Sequence, residues 1–523
     1  MSGERRERLK VVSLNCHRDA DGVIFDHYGH EREILSTRIL VMLAQCSRFF
    51  SPNTFDLTLK FVYHISMHLQ SLLAASFETA ANNLLPARLQ MAFTLGFHII
   101  LACFGVGLPV LLLAAEWRYL KTGDELWKLL AKRWAKAFAV LFAVGAVSGT
   151  VLSFELGLLW PEFMGRWGAV IGMPFTLEGF AFFLEAIFVG IYLYGWDRLP
   201  PKVHWLTGWP IAISGCMSAV FVVTANSWMN TPQGFRIVNG NIVDIDPIAA
   251  MLNPASGAQI VHMVVAAYLV TGFGVAAFHA LQLLREINPV YNRRALTLAL
   301  LLALPMAPLQ SVVGDWSAKM VAKSQPIKLA AMEGHFETST RAPLSIGGIP
   351  NEKTRTTDYA IKIPGLLSWM SYGDINAEVK GLNDFKEENL PPVAVVHVAF
   401  QIMVGIGSLM VLISAWCAIN YFRKRDWPKS RFFLWMILSM GPLSVLAMEA
   451  GWVVTEVGRQ PWIVQGYMRT SEAVTQSPGV WNVFYGTMLI YAVIGIAATT
   501  ILWQLGKVPI ESEENQQEEP YGA

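Results

Sequence analysis

Nine apolar stretches dominate this chain, each long enough to cross a hydrocarbon core of roughly 30 Å with about 20 helical residues. They cover approximately residues 92–115, 137–159, 174–194, 206–228, 258–282, 295–314, 391–421, 432–456 and 481–505. In lipid every backbone N–H and C=O must be bonded within its own segment, so such stretches form helices. The expected fold class is therefore all-α: a polytopic integral membrane protein with nine transmembrane helices in helical bundles. A composition of 54% hydrophobic and 15% charged residues agrees. The net charge of +1 leaves no basic footprint for nucleic acid. Five scattered cysteines suggest neither a disulfide framework nor a zinc site.

The polar breaks give the orientation. Arg118, Lys121, Lys128, Lys132, Arg133 and Lys136 fill the first break, and Arg198 and Lys202 the third. Arg285, Arg293 and Arg294 fill the fifth, and Arg423, Lys424, Arg425, Lys429 and Arg431 the seventh. The even short breaks carry only Arg166, then Arg236, then Arg459 with Arg469. Basic residues collect on the cytoplasmic side, so the first span starts outside and the tail ESEENQQEEP lies inside. The expected organisation is an N-terminal extension over 1–83, six helices over 84–314, an external loop over 315–390, three helices over 391–505 and an acidic cytoplasmic tail over 506–523. Residues 1–66 lack a long apolar run and a signal peptide. They read as a soluble extension or as an over-long start upstream of Met67, and the second is the expectation.

Ionisable residues inside a membrane cost roughly 2.5–3.5 kcal/mol each on insertion scales and mark function. Here they are Glu155 in SFELG, Glu178 and Glu185 in LEGFAFFLE, His98, His262, Glu449 and Glu456. Glu178 and Glu185 stand seven residues apart and share a helix face, as do Glu449 and Glu456. A histidine on an apolar helix is a haem axial ligand, a metal ligand or a satisfied core residue. Met403 on another helix raises the first option, because His with Met is an axial pair that lifts a haem potential. His397 is its rival on the same helix, but six residues turn it about 600° away, so the two cannot face one iron. No CxxCH occurs, so any haem is non-covalent.

From about residue 84 onward the chain resembles subunit I of the cytochrome bd-type ubiquinol oxidases. The segments that carry the resemblance are ARLQMAFTLGFHII, GMPFTLEGFAFFLEAIFVGIYLYGWDRL, VTANSWMNTP, NPASGAQIVH, IKLAAMEGHFET, AFQIMVG and EAGWVVTEVGRQPW. The resemblance implies a terminal oxidase of the bacterial cytoplasmic (inner) membrane that oxidises quinol at the outer face and reduces O2 to water with cytoplasmic protons. It implies His262 and Met403 as axial ligands of a low-spin haem b (b558). His98 and Glu456 become the single ligands of a high-spin haem b (b595) and a haem d, or a b-type haem in its place. Lys328, Glu333 and Glu337 become quinol-binding residues for ubiquinol or menaquinol. Glu178, Glu185 and Glu449 become proton-transfer or haem-pocket acids, and Arg88, Trp452 and Arg459 propionate or pocket residues. The implied partners are subunit II, a small accessory subunit, quinol, O2 and the lipid membrane.

Two departures stand out. The family commonly has Arg two residues before the axial Met, where this chain has Gln401, so the low-spin haem loses a cationic neighbour. The loop 315–390 is compact, which resembles the short-loop, cyanide-insensitive branch. From spacing alone IKLAAMEGHFE reads as a solvated amphipathic helix; the motif makes it the quinol segment. A secondary transporter would also keep midplane carboxylates, but no internal repeat is found. A di-haem anchor or ferric reductase would want paired histidines on shared helices, and His279 and His397 lie near helix ends.

Overall fold

The computed structural model describes residues 83–424 and 427–507. The N-terminal stretch with Met67, Arg425 of the seventh break and the acidic tail from residue 508 lie outside the described residues. In chain order the helices are α1 (Leu84–Thr122), α2 (Glu125–Leu159), α3 (Pro161–Tyr194), α4 (Pro201–Asn230), α5 (Pro247–Met251), α6 (Ser256–Leu284) and α7 (Pro289–Ser324). Then come α8 (Pro326–Glu333), α9 (Leu366–Tyr372), α10 (Val393–Lys424), α11 (Arg431–Val457), α12 (Thr470–Ala473) and α13 (Val480–Lys507). Nine of these described helices, all but α5, α8, α9 and α12, are long and apolar enough to span a membrane.

Several run past the apolar stretch that marks them. Helix α2 begins at Glu125, where the Asp124 side chain accepts from Leu126 N at 3.0 Å and caps the helix. Its first turns bury Trp127, Leu130, Ala131 and Trp134 at three- and four-residue spacing, an amphipathic face hidden among lysines. Helix α7 continues to Ser324 with an Asp315–Lys319 pair at 2.6 Å on its surface, so ten residues expected in the external loop are helical.

The spanning helices form two rings. Helices α1 to α4 pack in sequence and α4 returns to α1; α6, α7, α10 and α11 close a second ring in the same way. Helix α6 also packs on α1 and α4, and α13 lies against α1 and α2. Two tight apolar clusters fill the half of the bundle that adjoins the basic breaks. One gathers Phe273, Leu300, Ile413 and Phe433, the other Leu111, Leu130, Phe138 and Tyr192. His98, His262, Glu449 and Glu456 lie nearer the opposite ends of their helices.

Between α4 and α5, β1 (Arg236–Val238) and β2 (Asn241–Val243) form a hairpin. Its turn is Asn239–Gly240, both at positive φ, as a two-residue hairpin turn requires. The segment between α8 and α10 holds three small antiparallel pairs: β3 (Ser339–Thr340) with β8 (Glu378–Val379), β4 (Leu344–Ile346) with β7 (Ile361–Ile363), and β5 (Ile349–Asn351) with β6 (Thr356–Asp358). A last pair, β9 (Trp462–Val464) and β10 (Met468–Arg469), follows α11.

Candidate functional site

His98 on α1 faces Ser148 on α2. The Ser148 hydroxyl uses its single hydrogen on Gly145 O at 3.0 Å. At 2.9 Å it therefore accepts from His98 Nδ1, and Nε2 keeps its lone pair for a metal. Residue 149 on α2 has to be glycine for this approach, since a Cβ there would stand 2.9 Å from His98 Cε1. His262 on α6 has a buried Nδ1 with no hydrogen-bond partner, opposite Gly314 of α7. Met403 on α10 lays its sulfur against α11, where a Cβ on Gly451 would be 3.0 Å from Sδ. His262 and Met403 thus sit on two helices that both pack on α11.

His397 does not compete for an iron. Its Nδ1 stands 2.8 Å from Met332 O and its Nε2 3.1 Å from Gly347 O, fully buried among backbone carbonyls. His279 is likewise satisfied: Trp134 Nε1 donates to its Nε2 at 3.1 Å and its Nδ1 donates to Asn292 Oδ1 at 2.7 Å. Both are core histidines of the ordinary kind.

Glu456, in the last turn of α11, accepts from Asn226 Nδ2 with Oε1 and from Arg459 Nη2 at 2.5 Å with Oε2. A carboxylate has about four lone-pair sites, so each oxygen retains one for a metal. Arg459 is 4% exposed, and its Nε and Nη1 have no partner. Buried guanidinium donors without acceptors are costly, and they suit a second carboxylate supplied by a bound group. Glu449, two turns below, directs Oε2 at α1, 3.3 Å from where a Gly96 Cβ would be, and leaves Oε1 unpartnered. Trp452 packs half-buried beside Ile99, Cys103 and Met448.

Helix α8 is not solvated. Every residue from Lys328 to Glu333 is buried, because Ala330, Ala331 and Met332 pack with Val396, Ala450 and Val454 of α10 and α11. Lys328 Nζ donates to Asn230 Oδ1 at 2.5 Å and to Thr455 O at 3.3 Å. Burial, then the nearby Arg459, pull this ammonium down to about 7, against the attraction of Glu456. Burial pushes the Glu333 carboxyl up to about 8, against the pull of the Ser345 backbone N–H that faces it. Its Oε2 has no partner.

Glu178 is half-buried on α3. Glu185, one face-repeat further, is buried with Oε1 against Gly215 of α4, in a niche that also holds Gly105 O of α1. Glu155 accepts from Gln90 Nε2 at 2.8 Å and Thr94 Oγ at 2.9 Å. Arg88 and Glu337 are exposed, and no hydrogen bond joins Glu337 to Lys328 or Glu333 among the described residues.

Asn226 and Asn230 were not expected. They project from the last turns of α4, Asn230 Nδ2 donating to Asn226 O at 3.0 Å, and together they tie Glu456 to Lys328. Two asparagines four residues apart at the end of an apolar helix were the available signal.

Comparison with known proteins follows the same outline. The family model for cytochrome bd terminal oxidase subunit I matches residues 86–508. The solved bd oxidase from Geobacillus thermodenitrificans superposes with a TM-score of 0.77 at 40% identity, covering 82% of this chain and 99% of that one. The cytochrome bd ubiquinol oxidase subunit 1 of Bacillus subtilis is 33% identical over 419 residues, 78% of this chain and 88% of the relative. The cytochrome bd-II ubiquinol oxidase subunit 1 of Escherichia coli is 29% identical over 469 residues, 74% of this chain and 88% of the relative.

Proposed function

The chain belongs to the cytochrome bd terminal oxidase subunit I family, and from that premise we propose how its residues divide the work of a haem-containing, multi-pass quinol oxidase. His262 and Met403 hold a low-spin haem b of the b558 kind. His98 and Glu456 each hold one of two further haems, a high-spin b595 and a haem d or b-type haem in its place. When bound, a six-coordinate haem passes electrons and a five-coordinate haem leaves one face for dioxygen.

The protein's own groups do the rest. Ser148 keeps the metal-binding nitrogen of His98 unprotonated, and Arg459 offers Nε and Nη1 to propionate carboxylates, a geometry that suits a guanidinium fork. Trp452 lines the pocket. Glu333 takes the quinol hydroxyl proton on Oε2, since a carboxylate within hydrogen-bond reach serves as base, and Lys328 steadies the oxygen left behind. That proton leaves on the outer side. Glu185, Glu178 and Glu449 carry protons from the cytoplasmic side, so turnover contributes to the proton gradient without a pump. Subunit II and a small accessory subunit complete the complex in the bacterial cytoplasmic membrane.

The observation that carries this reading is the buried link between loop and membrane: Lys328 bonds Asn230 and the carbonyl of Thr455, the residue before Glu456. A quinol at α8 therefore stands beside the haem-holding helix end. The test is the purified complex with His262→Ala, and separately with Met403→Leu. Each should lose the low-spin band in a reduced-minus-oxidised spectrum and lose quinol oxidation while the chain still inserts. A spectrum unchanged in both variants overturns the assignment.

A further inference from the structure

Strand β4 has two edges. Successive backbone groups of a strand point to opposite sides, and β4 pairs with β7 along one of them, Leu344 opposite Ile363 and Ile346 opposite Ile361. The N–H and C=O groups of Ser345 and Gly347 face the other way, where no strand follows. Unpaired edge groups in a buried setting are costly, and here a polar side chain faces each of the four. Ser345 N–H is turned toward the Glu333 carboxylate. Ser345 O accepts from Gln401 Nε2 at 2.9 Å, and Gly347 N donates to Gln401 Oε1 at 3.0 Å. Gly347 O stands 3.1 Å from His397 Nε2, and the other nitrogen of that ring reaches Met332 O, next to Glu333.

Gln401 thus completes the edge as a neighbouring strand would, with one donor and one acceptor two residues apart on its partner. The pairing orients its amide, because Gly347 N can only donate and Ser345 O can only accept. It also explains the residue type. An arginine carries donors and no acceptor and would leave Gly347 N–H unpaired. Two residues from Met403, Gln401 points about 200° around α10 from the sulfur, so its side chain serves the loop face of the helix.

We infer that Gln401, with His397 one turn before it, is a positioning residue for quinol oxidation: the pair holds the β4 edge and Met332 in place beside Glu333, so that its partnerless oxygen Oε2 stays free for the quinol hydroxyl. The inference rests on the reading of Glu333 as the quinol base. Two side chains of α10 then couple the loop site to the helix that carries Met403.

The test uses the purified oxidase complex with Gln401→Ala, Gln401→Arg, Glu333→Gln and the double variant Gln401→Ala/Glu333→Gln. Losing two hydrogen bonds should raise the quinol KM about tenfold in Gln401→Ala, with haem content and the low-spin midpoint potential unchanged. Gln401→Arg should not restore it. Because Gln401 acts through Glu333, the double variant should be no worse than Glu333→Gln, a failure of additivity that a merely structural contact would not produce. If Glu333→Gln impairs quinol oxidation but Gln401→Ala does not, or if their effects multiply, the inference is overturned and the base survives. If Glu333→Gln leaves quinol kinetics intact, the base and the inference fall together. A shifted low-spin potential with unchanged KM in Gln401→Ala would place Gln401 at the haem instead.

Discussion

Glu333 makes the pH dependence of quinol oxidation calculable. Its carboxyl is 4% exposed, and burial pushes it up to about 8, the Ser345 N–H pulling only partly back. A base must be ionised to accept a proton, so activity falls as pH drops through that value and rises as pH climbs through it. With a value of about 8, roughly one carboxyl in eleven is ionised at pH 7 and about ten in eleven at pH 9. The kcat/KM for quinol should therefore rise about tenfold between these pH values. Lys328, pulled down to about 7, loses its remaining charge across this window, but the neutral amine keeps N–H donors for both Asn230 and the quinol oxygen. The assay is steady-state oxygen uptake with a short-chain quinol, in parallel for the parent complex and Glu333→Gln, at constant ionic strength. The amide cannot titrate, so its residual rate should be flat across the window. A parent profile that is flat or falls from pH 7 to 9, or an equal slope in Glu333→Gln, refutes the reasoning.

Gly149→Val should push His98 off its Ser148 bond, since a Cβ alone would stand 2.9 Å from the ring; haem extraction should show one haem lost with the low-spin band intact, and full haem content would contradict this. Asn226→Leu removes a donor from the Glu456 carboxylate, and a hydrogen bond to a charged group contributes about 1.5–3 kcal/mol. Haem retention on dilution should weaken roughly ten- to a hundredfold on that figure, and unchanged retention would speak against the site. His279→Leu strands Trp134 Nε1 and Asn292 Oδ1 at about 1–3 kcal/mol for each buried group left unpaired; the complex should melt at a lower temperature with its haem spectrum unchanged, and an unaltered melting temperature would disprove the joint.

Hydropathy was enough to read nine spans, because lipid imposes them locally. The ends of the helices were not legible in that way. Trp127, Leu130 and Trp134 continue α2 on a face that a hydropathy window averages with Lys128 and Lys132. Helix α8 looks solvated by composition, and only its packing on α10 and α11 buries Lys328 and Glu333. The family motif placed both residues at the quinol site without showing this burial. The contacts of Asn226 and Gln401 were not legible for a related reason: their partners Glu456 and Ser345 lie far away in sequence. Arg88 and Glu337, expected beside the others, are exposed, since nothing in a motif says which side of a turn a charged residue takes.

The central claim is that quinol chemistry and haem ligation belong to different residues only a few side chains apart. Haem content, measured together with oxygen uptake driven first by quinol and then by an artificial reductant, tests it in purified Glu333→Ala and Glu456→Ala complexes. Glu333→Ala should keep every haem and lose quinol-driven uptake alone. Glu456→Ala should lose one haem and, with it, uptake from either donor, because a methyl group cannot replace a carboxylate ligand. Haem loss in Glu333→Ala, or full haem occupancy in Glu456→Ala, would contradict the assignment of both sites.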